Sequence, residues 1–298
     1  MAREAAAEVV EPRPVSRLPV LGPLRDLRHH PLGMFGLVVI VLLVVIALLA
    51  PLIAPYSPTE QNFSVLSSPS ASNPFGTDRL GRDVLSRVIY GARLSLGIGL
   101  TSVFFGVLGG TVVGTVSGFL GGRIDTLIQR LVDVMLAFPL LILLLAITAA
   151  LGASVQNIVI AISIGIIPGT SRVIRGAVLS EKNNQYVEAA RVMGASDLRI
   201  IIRHVLPNVT APIIVIVSIL IPAATLLEAA LSFLGLGVPP PTPSWGADLG
   251  GQAREYFRAA PWMAIFPGAA LSLTVLAFNM LGDALRDILD PRLRQGRR

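Results

Sequence analysis

The chain has 298 residues, of which 53% are apolar and 14% are charged, and it carries a formal net charge of +6. Soluble globular domains have roughly 25% charged residues, so this composition excludes that class and indicates an integral membrane protein. The absence of cysteine excludes disulfides, thiolate catalysis and cysteine-ligated zinc.

Six apolar segments are long enough to cross a bilayer core of roughly 30 Å, which takes about 20 residues. The predicted spans lie near 32–54, 94–122, 131–151, 158–174, 209–231 and 262–281. Residues 134–171 carry no charge, and one helix over them would be about 57 Å long. We therefore predict a turn at 152–157 between the third and fourth spans. The predicted fold class is all-α, integral to the membrane, with tails at 1–31 and 284–298.

The glycine and proline residues predict how some of these spans pack and where they bend. Span two has small residues spaced about four apart, at Gly106, Gly109, Gly110, Gly114 and Gly118. Such a face lets helices approach closely in lipid, so we predict that span two packs tightly against a neighbour rather than being merely loosened. Proline kinks are expected in spans three and four, at 139 and 168.

The arginines predict the orientation. Most of the 24 Arg and Lys residues fall in the two tails, in the short loop 123–130 and around residues 172–203. The positive-inside rule places all of these on the cytoplasmic side, with both termini. The same rule accounts for the positive net charge without nucleic-acid binding.

The stretch 186–208 is a charged, helix-forming segment between two apolar spans. Strong helix formers predict a short helix over 187–193, and Gly194 is suited to end it in the left-handed conformation. Ser196 is a suitable N-cap for a second helix over 197–205. Pro207 is expected to stop that helix or to bend the chain into the next apolar run.

Within this stretch lies a motif that resembles the EAA motif of bacterial ABC-importer permeases. It is formed by Glu188, Ala189, Ala190, Gly194, Leu206 and Pro207. In that family the loop is a coupling helix that docks on a separate ATPase subunit. The resemblance implies that Glu188 caps or pairs at the ATPase surface, that the two alanines permit close approach and that Gly194 permits the turn. An amphipathic loop helix without a partner is the alternative.

Three further segments, 75–96, 233–246 and 273–294, resemble permeases of the dipeptide/oligopeptide class. The resemblance implies a type I ABC-importer permease fold in the bacterial cytoplasmic membrane. It also implies a second homologous permease subunit, two ATPase subunits that bind ATP and Mg, and an extracytoplasmic substrate-binding protein. Nickel importers share these signatures, so a nickel or other small-solute permease stays open. An ion-coupled secondary transporter is the less favoured alternative.

We predict no catalysis, cofactor or metal site in this chain. A Walker A loop needs a lysine after its glycines, and the single lysine, Lys182, follows no glycine loop. Charged residues in or near the spans are functional candidates because they are costly there. Glu228 is predicted to line the outer pathway or to anchor a partner, and Asp133 to pair with Arg130 at helix spacing. The tryptophans at 245 and 262 are predicted to belong to an interface belt.

Overall fold

A computed structural model describes residues 27–289, which are predominantly helical. In chain order the elements are α1 (Pro31–Ile53), α2 (Val84–Leu120), α3 (Gly122–Ala137), α4 (Leu140–Leu151), α5 (Val155–Glu181), α6 (Gln185–Val192), α7 (Asp197–Ile200), a π-helical turn (Ile201–Val205), α8 (Leu206–Asn208), α9 (Thr210–Phe233), α10 (Trp245–Leu249), α11 (Gly251–Glu255) and α12 (Trp262–Leu289). Most of the predicted tails, 1–31 and 284–298, lies outside the described residues, although α12 continues to Leu289.

Five of these helices are long and apolar enough to cross a membrane, namely α1, α2, α5, α9 and α12. Together α3 and α4 form a sixth candidate. Some helices extend well beyond their apolar runs. Helix α2 starts at Val84, ahead of the span predicted from residue 94, because the Asp83 carboxylate caps it by accepting a hydrogen bond from the Ser86 amide (2.8 Å).

The segment predicted as a span over 131–151 is not one straight helix. Helices α3 and α4 meet at an angle of 93°, and the chain between them is extended at Phe138 and Pro139. Proline lacks the amide hydrogen that a continuing helix needs, and it pushes the residue before it towards extended backbone. The sequence thus indicates the position of this bend but not its size. By contrast, Pro168 lies inside the continuous helix α5.

The glycines of α2 form a tight seam with α5. A Cβ atom at Gly110 would lie 2.5 Å from the Cβ of Thr170, and one at Gly114 would lie 2.5 Å from the carbonyl oxygen of Ser171. These distances leave no room for any side chain at either glycine. The prediction that small residues let α2 pack closely against another span is confirmed.

The chain between α9 and α12 folds back onto α2. Trp245 is completely buried there, and its indole Nε1 donates a hydrogen bond to the carbonyl oxygen of Val88 (3.0 Å). Space for the ring exists because the facing residue is Gly91. The prediction that Trp245 belongs to an interface belt is therefore wrong. Trp262 is only half-buried and donates to the carbonyl oxygen of Thr77 (3.1 Å).

Candidate functional site

The helix break at Gly194 has a defined hydrogen-bonded geometry. Gly194 has a φ of 80°, a conformation that residues with a Cβ rarely adopt. Its amide donates to the Arg191 carbonyl, and the Ala195 amide donates to the Ala190 carbonyl, both at 3.0 Å. This pair of bonds is the Schellman motif, which satisfies the free carbonyls at the end of a helix. The predicted helix and break are therefore present, with α6 covering 185–192.

The second half of the loop is less regular than predicted. Helix α7 begins at Asp197, after Ser196, but the Ser196 side chain makes no capping bond. The π-helical turn follows, and in it the Leu206 amide donates to the Ile201 carbonyl. This widened turn directly precedes Pro207, which has no amide hydrogen and would crowd the carbonyl one α-helical turn earlier. The helical path continues through Pro207 to Asn208, so the proline does not stop it, and the break before α9 comes at Val209.

An apolar cluster, which we name the loop core, attaches the loop to the ends of α2 and α5. Its buried members are Phe119, Ile174, Val178, Val187, Ala190, Ile200, Val205 and Val209. Ala189 is exposed, whereas Ala190 is buried. The close approach that Ala190 permits is thus to helices of its own chain, and the half-buried Leu206 packs against the same cluster.

Other apolar side chains of the loop remain uncovered. The large exposed ones are Val192, Met193, Leu198 and Ile202. Val192 and Met193 are 84% and 85% exposed, and the motif residues Glu188, Gly194 and Pro207 are exposed as well. Exposed apolar residues rimmed by charged ones are typical of an interaction surface.

A hydrogen-bond network closes the base of the loop. The Asn208 side-chain amide donates to the Tyr186 hydroxyl (3.0 Å) and to the His204 carbonyl (2.7 Å). The Tyr186 hydroxyl in turn donates to the Glu181 carboxylate at the end of α5. Burial raises the pKa of Tyr186, and the bond to Glu181 raises it further, so the hydroxyl stays protonated as a donor. Sequence reasoning missed this network because its central bond, from Asn208 to Tyr186, joins side chains 22 residues apart.

Removing the Tyr186 hydroxyl should loosen this closure without unfolding the chain. A hydrogen bond contributes about 1 kcal/mol net, so in a Tyr186→Phe variant we expect transport to fall a few-fold while the thermal midpoint of the protein hardly changes. Asn208→Ala should have a similar effect. Tyr56→Phe is the matched control, since it removes a hydroxyl bonded to the Ser72 carbonyl, away from the loop. Equal transport by the Tyr186→Phe and Tyr56→Phe proteins would show that the network does not position the loop.

Glu228 lies fully buried near the C-terminal end of α9. The Ser232 hydroxyl donates to Glu228 Oε1 (2.8 Å) and accepts a bond from the Val238 amide (3.2 Å). This chain of bonds ties the segment after α9 to the helix. In this conformation Glu228 is enclosed by its own chain rather than exposed along a path, so the geometry favours an anchoring role within the subunit.

A buried ion pair fixes the same end of the molecule. The Arg87 guanidinium pairs with Asp248, joining α2 to α10, and its Nη1 also donates to the carbonyl oxygens of Pro58 (3.2 Å) and Pro241 (3.4 Å). A cavity of about 520 Å³ opens beside the pair. Removing one partner of a buried ion pair leaves the other charge buried and unpaired, which destabilises the fold. We therefore assign Arg87 and Asp248 a structural role.

Two family models match the chain. The model of the binding-protein-dependent transport system inner membrane component matches residues 110–295, which include the loop, the loop core and α9. The model of the N-terminal TM domain of oligopeptide transport permease C matches residues 24–69. The first match covers more than half of the chain.

Curated relatives extend over nearly the whole length. A putative peptide transport system permease protein of Brucella abortus biovar 1 (strain 9-941) is 42% identical over 94% of each chain. The glutathione transport system permease protein GsiD of Escherichia coli O1:K1 / APEC is 42% identical over 91% of this chain and 89% of its own. The GsiD of Shigella flexneri serotype 5b (strain 8401) is 43% identical over the same shares.

The fold also resembles a solved transporter. A chain from inward-facing structures of the MetNI methionine ABC transporter has a TM-score of 0.56 and 19% identity, and the likeness covers 68% of this chain and 96% of that one. The predicted all-α permease fold is thereby confirmed. Family membership also removes the secondary transporter from the alternatives. This chain belongs to the binding-protein-dependent transport system inner membrane component family and is a permease subunit of an ABC transporter.

Proposed function

We propose that this permease imports di- or oligopeptides across the bacterial cytoplasmic membrane. The observation that carries the proposal is the 42% identity, over 94% of both chains, to a permease named for peptide transport. The relatives named for glutathione, itself a tripeptide, support the same substrate class. The match to an oligopeptide permease domain at 24–69 lies outside the general family match and adds independent support.

The proposed route of energy coupling is the loop 186–208. A pair of ATPase subunits holding ATP and Mg would supply the energy, and this subunit would carry out no chemistry itself. The exposed apolar residues, Val192 and Met193 above all, support a docking role. The loop core supports transmission, because it joins the docking surface directly to α2 and α5.

The proposed assembly contains a second homologous permease and an extracytoplasmic substrate-binding protein. Both termini and the loop 186–208 would face the cytoplasm, following the distribution of arginine. The exposed apolar surfaces of the spans would face lipid or the second permease. Substrate selectivity would reside mainly in the binding protein, which leaves the exact peptide length undefined by this subunit.

Co-purification tests the assembly. The tagged chain, extracted in mild detergent from cells that express the whole transporter, should carry ATPase subunits and a second permease with it. A Glu188→Ala/Gly194→Val variant should lose the ATPase subunits and keep the second permease. A chain that purifies without any ATPase activity would contradict the proposed coupling.

Uptake tests the substrate class. Proteoliposomes containing the intact complex should accumulate a labelled dipeptide when ATP is supplied on the loop side and the binding protein on the other. Nickel should not be accumulated under the same conditions. ATP-dependent nickel uptake without peptide uptake would replace the proposed substrate while leaving the coupling scheme in place.

A further inference from the structure

The ion pair between Asp133 and Arg172 lies in an unusual position. It joins α3 to α5, and both side chains are about half exposed, 48% and 50% respectively. Asp133 therefore pairs across two helices and not with Arg130, as helix spacing had suggested. Beyond the pair, residues 134–171 carry no charge, so these two residues are the last charges before the apolar interior of both helices.

A second pair shows that the first is not needed to hold the helices together. Arg175 donates two hydrogen bonds to Asp125, at 2.6 and 2.5 Å, and thereby already ties α5 to α3. That pair is more buried than the Asp133–Arg172 pair. Arg172 precedes Arg175 by three residues, so it lies about 4.5 Å further towards the uncharged part of α5.

The surroundings of the exposed pair are apolar. Leu131, Val134 and Val173 lie within two residues of the pair in sequence and are more than half exposed themselves. A charged pair is costly where it is open to hydrocarbon, and charges at the edge of an apolar span normally face water, a water-filled path or the inside of an assembly. The half-exposed pair therefore requires water or a polar ligand on its open side.

A cavity begins next to the pair along both helices, although neither Asp133 nor Arg172 lines it. Met135 and Leu136 on α3 and Thr170 and Val173 on α5 line a cavity of about 350 Å³, whose other walls come from α4 and α9. The walls are apolar apart from a few groups. An apolar cavity with two opposite charges beside it has the chemistry to accept a small zwitterion with apolar side chains.

We propose that Asp133 and Arg172 line the substrate path and transiently bind the charged ends of a peptide. Asp133 receives the terminal ammonium group, Arg172 receives the terminal carboxylate, and the adjoining cavity receives an apolar side chain. The arginine is suited to this because its planar guanidinium binds carboxylates in a bidentate manner. Without substrate the two residues neutralise each other. The identity of the ligand rests on the proposed peptide import, whereas the location of the path does not.

The absence of cysteine makes the location directly testable. In the assembled complex in proteoliposomes, Asp133→Cys should react with a charged, membrane-impermeant thiol reagent in the nucleotide-free state. Two neighbours are matched controls: Leu131→Cys, which is also exposed but lies about 200° away around the helix, and Val132→Cys, which is buried. We expect Asp133→Cys to react about tenfold faster than either, and trapping with ATP and vanadate to slow it.

Reaction of Asp133→Cys at the rate of the Leu131→Cys control, or at a rate that trapping does not change, would overturn the proposed path. The latter outcome would place the pair at the lipid headgroups instead. Because labelling requires no substrate, this result is separate from any failure of peptide uptake by the wild-type complex.

The binding role has its own readout. A charge-assisted hydrogen bond to a carboxylate is worth about tenfold or more in affinity, so Arg172→Gln should raise the KM for a free dipeptide by about that factor. It should raise the KM far less for the same dipeptide with an amidated C-terminus. Its thermal midpoint should be unchanged, since Arg175 still ties α5 to α3. An equal change for both peptides would exclude contact between Arg172 and the terminal carboxylate.

Discussion

A Gly194→Val protein is expected to lose the coupling between ATP hydrolysis and transport, or to lose the ATPase subunits altogether, while its spans still insert. At a φ of 80° an L-residue is strained by about 1–2 kcal/mol, and a β-branched residue by more. Valine would therefore break the two capping bonds that set the angle between α6 and α7. The measurements are ATP-driven uptake, ATP hydrolysis and the amount of ATPase subunit that co-purifies.

Controls for this prediction follow from the geometry. A Cβ atom at Gly194 would have no neighbour within 4 Å, so any defect must be conformational rather than steric. Gly194→Asn should then retain most of the transport activity, because asparagine tolerates positive φ. Gly176→Val is equally free of close neighbours but has ordinary helical backbone, and it should transport normally. If Gly194→Val also transports normally, the break has no role in coupling.

The membrane topology is largely predictable because it depends on local composition. A run of about 20 apolar residues must cross the bilayer whatever surrounds it, and glycines at every fourth position predict a seam before its partner is known. The 93° bend between α3 and α4 is different. Proline at 139 locates it, but the angle depends on how α3 packs against α2 and α5 and how α4 packs against α5 and α9.

The loop 186–208 likewise has some features that could be predicted from the sequence and others that could not. Gly194 could be predicted because a helix end in the left-handed conformation requires a particular residue. The bond from Asn208 to Tyr186 could not, since nothing local marks two side chains 22 residues apart as partners. Nor does the sequence reveal that Ala190 packs into the loop core while Ala189 stays exposed.

Charged residues in the spans show the limit of sequence reasoning most clearly. Their cost in the membrane identifies Glu228 and Asp133 as candidates, but composition does not say which helix face each occupies. In the structure Glu228 is enclosed by its own chain. Asp133 is open and pairs with a residue on another helix, so the functional interest shifts from Glu228 to Asp133.

The seam between α2 and α5 should be the part of the fold least tolerant of substitution. At Gly114 an added Cβ atom would meet the carbonyl oxygen of Ser171 at 2.5 Å and the amide nitrogen of Arg175 at 3.1 Å. Backbone atoms cannot move aside as a flexible side chain can. We therefore expect Gly114→Leu to prevent stable folding, measured as the loss of a monodisperse peak in size-exclusion chromatography of the detergent-extracted protein.

Two milder variants test the close packing of this seam by the direction in which each shifts the thermal midpoint. Alanine is favoured over glycine inside a helix by about 1 kcal/mol, so Gly97→Ala, where a Cβ atom has no neighbour within 4 Å, should leave the thermal midpoint unchanged or raise it. Overpacking costs about 1–3 kcal/mol, so Gly114→Ala on the same helix should lower the midpoint despite the better propensity. If both variants shift the midpoint in the same direction, helix propensity governs and the seam is not closely packed. Opposite shifts would show that the contact between α2 and α5 determines the stability of the helical pair to which the loop core is attached.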